Sequence, residues 1–217
     1  MKYKLVIFDL DGTLLNTLKD IAVALNHSLA TAGYSAHTLD EVRAAIGGGV
    51  GRLVRLSVPK DTPETVYQKI LADFKAYYSA NLNVHTAPYE GILELLKDLK
   101  ASGIHIAANS NKVDDAVALL CRAHFDALFE ITLGERKDIP KKPAPDGPQM
   151  IMRALNIPPS HTLYVGDSET DVETAMNAGI DSAWVSWGYR NREELGNMNP
   201  PHAFDTVGAL KEFILNA

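Results

Sequence analysis

The sequence holds one cysteine, Cys121, in 217 residues. A lone thiol closes no internal disulfide, so a disulfide scaffold is excluded. Cys121 falls inside the helical pattern DDAVALLCRAHF, where it reads as a small core residue. Basic runs are equally scarce. No more than two Lys or Arg stand together, and 21 basic against 27 acidic side chains leave a net charge of −6. That balance argues against nucleic acid or an anionic membrane surface as a partner. No apolar run approaches membrane-spanning length, and residues 1 to 8 enter a strand pattern without a signal-peptide apolar region. The expected location is the cytoplasm. None of the seven histidines stands three to five residues from another, so histidine-type zinc spacing is missing as well. Internal repeats and low-complexity segments are absent.

What is present is alternation. The segments KLVIFD (4–9), IHIAANS (104–110), FEITLG (129–134), TLYVGD (162–167) and SAWVSW (182–187) read as strands. Near-continuous apolar runs such as Leu5 to Phe8 suit strands covered on both faces. Helical patterns stand between them: YEGILELLKDLKASG, DDAVALLCRAHF, DGPQMIMRALNI and ETDVETAMNAGI. The fold class expected is α/β, a doubly wound parallel sheet with right-handed crossovers. One interval breaks the pattern, since only helical signals occur between Asp11 and about residue 85. Such a stretch is too long for a simple crossover and predicts an inserted helical domain at 15–85, within a core formed by 1–14 and 86–217.

In open α/β sheets ligands bind outside the carboxyl ends of the strands. Those ends carry Asp9 and Asp11, then Ser110, Asn111 and Lys112, then Asp167 and Asp171, while Lys141 and Lys142 precede PAPDGP at another helix entry. Each has a plain alternative reading as a helix cap or a solvated loop charge. Together they converge on one crevice, which capping alone does not require. Carboxylates sharing a crevice repel by roughly 4 kcal/mol per pair at about 4 Å and an effective dielectric near 20. A cation must compensate, and oxygen-only ligands point to Mg²⁺. Mg²⁺, a lysine and a strand-end aspartate suit phosphoryl transfer, which needs positioning and charge neutralisation. A carboxylate can itself attack phosphorus and form an aspartyl-phosphate.

These residues resemble the haloacid dehalogenase superfamily, in its phosphatase branch with a helical cap, and within it the phosphoglycolate phosphatase-like members. DLDGT (9–13) is similar to the first family motif, Ser110 in NSNK to the second, KPAPD from Lys142 to the third, and GDSETD (166–171) to the fourth. The resemblance implies that Asp9 is the nucleophile and Asp11 the acid and base. Ser110 and Lys142 would hold the phosphoryl oxygens. The carboxylate of Asp9, the backbone carbonyl of Asp11 and Asp167 would ligate Mg²⁺, with Asp171 in support. Gly12, Thr13 and Asn111 are expected on the substrate side. In the insert, the glycine-rich segment 47–51 resembles a specificity loop, which makes Gly48 and Arg52 candidate substrate contacts; a plain helix–helix connection explains those glycines equally well. The implied partner is a small phosphate ester, acted on by a monomer or homodimer.

The chain departs from the pattern at Asn16 and Thr17, where many relatives read Asp-Ser, and at Ser110, where threonine is common. Asp11 argues against a dehalogenase. Sugar-phosphate mutases carry a histidine early in the first cap helix, and none occurs here before His27. Phosphonoacetaldehyde hydrolases use a cap lysine, whereas IGGGVGRLVRL offers only arginines. A mutase and a pyrophosphatase or nucleotidase are the alternatives within the superfamily. A receiver-like phosphoacceptor module is the alternative outside it, although it needs little more than half this length. Trp184 and Trp187 read as packing residues of the last strand, and YRNREEL as a solvated face.

Overall fold

A computed structural model of the chain describes residues 2–217. They divide into two compact units, one made of the residues up to Leu15 together with Pro88–Ala217, the other of Asn16–Ala87.

The first unit is built on a six-stranded sheet. In chain order its strands are β1 (Leu5–Phe8), β4 (His105–Val113), β5 (Ile131–Glu135), β6 (Thr162–Gly166), β7 (Asp181–Val185) and β8 (His202–Phe204). A separate two-stranded ladder of β2 (Leu15–Asn16) and β3 (Ala87–Pro88) forms where the chain passes between the units. The large sheet runs β5-β4-β1-β6-β7-β8, and every pairing is parallel. The first strand therefore lies inside the sheet. From it the chain winds outward to β5, then returns past β1 to build the other half, so the direction of winding reverses beside β1. That reversal opens a crevice at the carboxyl end of β1, between β4 and β6.

Burial follows from the sequence run. Leu5, Val6, Ile7 and Phe8 are all fully buried, because α-helices cover both faces of a doubly wound sheet. Each such side chain contributes about 1.5–3 kcal/mol by leaving water. On one face Leu5, Ile7 and Tyr164 pack with Ile151 and Met152 of α7 (Asp146–Leu155) and Ala175 and Ala178 of α8 (Glu169–Ala178). Helices α5 (Ile92–Ala101), α6 (Asp114–Phe125) and α9 (Val207–Asn216) complete the unit. Right-handed crossovers put α5 and α6, which follow the outward winding, on the opposite face from α7 and α8. Cys121 is buried in α6, as a packing residue should be. Strand β8 escaped the sequence reading, since three residues after Pro200 and Pro201 show neither alternation nor an apolar run.

The second unit is helical: α1 (Leu18–Thr31), α2 (Leu39–Ala45), α3 (Gly49–Leu56) and α4 (Glu64–Ala80). A capping box starts α2, with Thr38 and Glu41 exchanging side-chain-to-backbone hydrogen bonds. The segment 47–51 is not one loop. Gly47 and Gly48 connect two helices, while Gly49 and Gly51 belong to the first turn of α3. Three contacts tie α3 to α4: Tyr67 Oη donates to the Gly51 carbonyl at 3.1 Å, Arg55 lies 3.6 Å over the Tyr67 ring, and Arg55 pairs with Glu64 at 2.6 Å. One carboxylate organises the ends of this unit. Asp20, in the first turn of α1, is buried and accepts from the backbone N–H groups of Val84, His85 and Thr86 and from the Thr86 hydroxyl, at 2.8–3.1 Å.

Candidate active site

The nucleophile candidate stands one residue beyond β1. The Asp9 N–H donates to the Val165 carbonyl at 2.8 Å, which extends the β1–β6 ladder by one rung and fixes the backbone under the carboxylate. The chain then turns at Gly12, whose φ of 87° lies in the left-handed region. A side chain there would also fail on space, since a Cβ would come within 2.5 Å of Asp167 Oδ2. The first motif needs its glycine for conformation and for close approach to the fourth motif.

Asp9, Asp167 and Asp171 form a buried cluster with ligand oxygens within 4.8 Å of one another. Lys142 Nζ reaches into it, 2.8 Å from Asp9 Oδ1 and 2.7 Å from Asp171 Oδ1. Three carboxylates face one ammonium, and the electrostatics follow. Burial, then repulsion from Asp171, pushes the Asp9 carboxyl up to about 7 against the pull of Lys142. Burial and the charges of Asp171 and Asp9 hold Asp167 well above the usual carboxylate range, opposed by hydrogen bonds from Tyr189 and Thr13. Burial works against the Lys142 charge, but Asp171 and Asp9 outweigh it and keep the ammonium protonated. Lys142 also sits 5.8 Å over the Tyr164 ring.

This cluster fits a hard divalent cation. Asp9 Oδ1 is buried, and its one close cationic neighbour among the described residues is the Lys142 ammonium, which it shares with Asp171. Three buried carboxylates sharing one ammonium, with no nitrogen or sulfur ligand in the cluster, leave negative charge uncompensated and are a donor set for such an ion. Asp9, Asp167 and Asp171 would hold it.

Asp171 combines both readings made of it. It is the N3 residue of the capping box that starts α8, with Oδ2 accepting from the Ser168 N–H at 3.0 Å and the Ser168 hydroxyl at 2.6 Å. Its Oδ1 holds Lys142. The cap and the site share one carboxylate.

Two residues expected on the substrate side have other partners. Thr13 Oγ1 donates to Asp167 Oδ1 at 3.1 Å, so it braces the acid cluster. Asn111 brackets Lys142, donating to its carbonyl at 3.1 Å and accepting from its N–H at 2.9 Å. Both contact site residues. Ser110 is buried beside them; its hydroxyl accepts the Lys112 N–H at 3.3 Å, and no described residue takes its proton. Asp11 lies outside the three-acid cluster and is held by Lys112 Nζ at 2.9 and 3.1 Å. Lys141, next to Lys142, pairs instead with Glu135 at 2.7 Å on a partly exposed surface. In the helical unit Arg52 is exposed and its side chain lies against Gly48, so close that a Cβ on Gly48 would overlap it.

The loop after β7 is a correction to the sequence reading. Tyr189 and Arg190 are buried, not solvated, although Asn191–Glu194 are exposed. The Tyr189 N–H donates to Asp167 Oδ2 at 2.6 Å, and Arg190 Nε reaches Glu169 at 3.2 Å. Gly188 lies so close to Asp167 and to the Gly12 carbonyl that any Cβ would overlap both. Trp184 packs within β7, as expected, and its Nε1 donates to the Asp167 carbonyl at 2.8 Å. Trp187 lies beyond the strand and donates to the Thr13 carbonyl at 3.1 Å. The segment therefore braces the first and fourth motifs. Its only sequence signal is the Trp-Gly-Tyr run, which carries no charge to attract attention.

Comparison with known proteins identifies the family. The family model for haloacid dehalogenase-like hydrolases matches residues 6–185. A phosphoglycolate phosphatase of Pseudomonas syringae pv. tomato is 33% identical over 214 residues, covering 95% of this chain and 78% of the relative. That of Psychrobacter arcticus is 31% identical over 226 aligned positions, covering 100% and 98%. A solved structure of a candidate phosphoglycolate phosphatase from Lactobacillus delbrueckii subsp. bulgaricus is 33% identical, superimposes with a TM-score of 0.94 and covers all of both chains. The match spans both halves of the sheet and all four motif regions, and the chain belongs to the haloacid dehalogenase-like hydrolases as a phosphatase-like member.

Proposed function

We propose that this phosphatase hydrolyses a small phosphorylated carboxylic acid of the 2-phosphoglycolate class, through an aspartyl-phosphate on Asp9. The observation that carries the reading is the buried Asp9 carboxylate, fixed by the β1–β6 ladder and facing Lys142 within the Asp167–Asp171 cluster. The names borne by the relatives supply the substrate class.

In this scheme the substrate phosphoryl group enters the crevice with its oxygens against the Lys142 ammonium and the Ser110 hydroxyl. An Asp9 carboxylate oxygen attacks phosphorus, and the bond to the ester oxygen breaks as Asp11 gives that oxygen a proton. Asp11 then takes a proton from the water that attacks the aspartyl-phosphate, returning Asp9 and inorganic phosphate. Acid–base help of this kind contributes about 10²–10⁴-fold, and covalent catalysis divides one hard displacement into two. Mg²⁺, held by Asp9, Asp167 and Asp171, would neutralise charge on the transferred group. Arg52 is proposed as an additional anion contact from the helical unit, on the strength of its exposed guanidinium.

The test is a panel of phosphate esters with Mg²⁺, run on the parent, Asp9→Asn and Arg52→Ala. Repeated turnover of phosphoglycolate by the parent and collapse in Asp9→Asn are expected. At most one equivalent of phosphate released would mark a phosphoacceptor module, and activity above a few per cent in Asp9→Asn would remove the nucleophile assignment. A weaker preference for carboxylated esters is expected in Arg52→Ala; an unchanged preference removes only the arginine.

A further inference from the structure

Among the described residues Arg190 is the one buried arginine, and the scheme above gives it no part. Burying a guanidinium costs desolvation that its polar partners must offset, so packing alone would be served better by an apolar side chain. Arg190 Nε lies 3.2 Å from Glu169 Oε2, in the first turn of α8, and Arg190 has further partners besides. The pair ties the segment after β7 to the helix whose start carries the fourth motif. What that tie holds in place is Asp167. Arg190 directly follows Tyr189, whose N–H donates to Asp167 Oδ2 at 2.6 Å, and Gly188 sits against the same carboxylate and the Gly12 carbonyl. On the other oxygen, Oδ1, the Thr13 hydroxyl donates at 3.1 Å.

The geometry points to Arg190 as a positioning residue that, through the Tyr189 N–H, fixes the aim of Asp167 and so makes the acid cluster prefer Mg²⁺ to Ca²⁺. This inference rests on the reading that Asp9, Asp167 and Asp171 hold a divalent ion. A carboxylate can meet a cation with one oxygen or with both. Held on Oδ1 by Thr13 and on Oδ2 by Tyr189, Asp167 cannot turn about its Cβ–Cγ bond without breaking a hydrogen bond. It therefore offers an ion one fixed direction. Mg²⁺ demands near-ideal octahedral directions, so a carboxylate aimed in advance suits it. Ca²⁺ is larger, takes more oxygens and accepts one or both from a carboxylate, so a fixed carboxylate denies it an option. Groups that hydrogen-bond to metal ligands contribute about 10–100-fold to affinity. The Tyr189 donor is a backbone group, and its place depends on what anchors the segment. Trp187 anchors one side, on the Thr13 carbonyl, and Arg190 the other, on α8.

The test is binding of Mg²⁺ and of Ca²⁺ to the chelator-treated full chain, by calorimetric titration at about pH 8, where few protons compete. Thermal melts accompany the titrations, and the proteins are the parent, Arg190→Gln, Arg190→Lys and Glu169→Gln. The parent should bind Mg²⁺ more tightly than Ca²⁺. In Arg190→Gln the Kd for Mg²⁺ should rise by about tenfold or more, and that for Ca²⁺ by a clearly smaller factor. Arg190→Lys, which keeps a cation for Glu169, should restore part of the parent's preference. Glu169→Gln leaves Arg190 its other partners, so it should shift the preference the same way by less. A lower Tm in Arg190→Gln with both Kd values unchanged would overturn the inference, since Arg190 would then only stabilise the fold. Equal losses for the two ions overturn it as well, because the aim of Asp167 would not distinguish them. Should Arg190→Gln fail to fold, Glu169→Gln decides, and an unchanged preference there overturns the inference while leaving the metal site intact. A parent that binds neither ion is a separate result, and it removes the metal site and this role of Arg190 together.

Discussion

Charge is apportioned by position within a few residues of one another. Lys141 and Lys142 are chemically identical and adjacent, yet one is a surface partner of Glu135 and the other pairs with two members of a cluster of three buried carboxylates. Asn111 makes the difference by gripping the Lys142 backbone on both sides. Lys142→Ala should therefore lower kcat by about 10²–10³, the usual cost of removing a preorganised charge partner. It should also destabilise the metal-free protein by about 3–5 kcal/mol, because buried carboxylates lose their counter-charge. Lys141→Ala should change stability by no more than about 0.5 kcal/mol and leave kcat near the parent's. Steady-state kinetics and thermal melts on both variants check this; equal effects on kcat would mean that the site lysine has been misplaced by one residue. Such a distinction was legible in sequence only through the motif, since composition and charge treat the two alike.

Elements show where patterning suffices and where it does not. Strand β1 and the strand-end acids could be read directly, because four apolar residues followed by Asp-Leu-Asp-Gly are both a buried strand and its chemical terminus. Helix α3 was obscured by glycines that usually signal a loop, and its stability comes from Tyr67 and Arg55, contacts between segments that no local pattern reveals. The 186–190 loop was misread for a similar reason: Tyr189 acts through its backbone N–H, which every non-proline residue has. Asp20 belongs here as well. In sequence it is an ordinary first-turn acid, and its four acceptor contacts come from residues 64 to 66 positions away. Hydrogen bonds to a charged group contribute about 1.5–3 kcal/mol, and their loss leaves backbone donors unsatisfied. Asp20→Ala should destabilise the helical unit by about 3 kcal/mol and raise hydrogen exchange at the amides of Val84, His85 and Thr86. Exchange at those three amides unchanged from the parent would show that the carboxylate does not hold them.

At the scale of the whole molecule, the acid cluster couples folding to protons and metal. Asp9 is raised from 3.8 to about 7 by burial and by Asp171, and Asp167 is raised for the same kind of reason. A carboxyl whose folded value exceeds its unfolded value binds more protons in the native state. Its contribution to stability is fully present below the unfolded value and is lost as pH rises through the folded one. The metal-free protein should accordingly lose thermal stability between about pH 4 and about pH 8, as protons leave a cluster with too little positive charge. A divalent cation replaces those protons. At about 100 times its Kd it adds about 2.7 kcal/mol when it binds only the folded state. At about pH 5.5 protons compete for the same oxygens, so the Tm gain from a fixed Mg²⁺ concentration should be clearly smaller than at about pH 8. Asp9→Asn removes one titrating oxygen pair from the cluster, and it should both flatten the pH dependence of the metal-free Tm and reduce the gain from Mg²⁺. Melts of chelator-treated parent and Asp9→Asn, with and without Mg²⁺ at the two pH values, test each part without reference to catalysis. A gain from Mg²⁺ that is equal at both pH values, or undiminished in Asp9→Asn, would place the ion away from the three carboxylates.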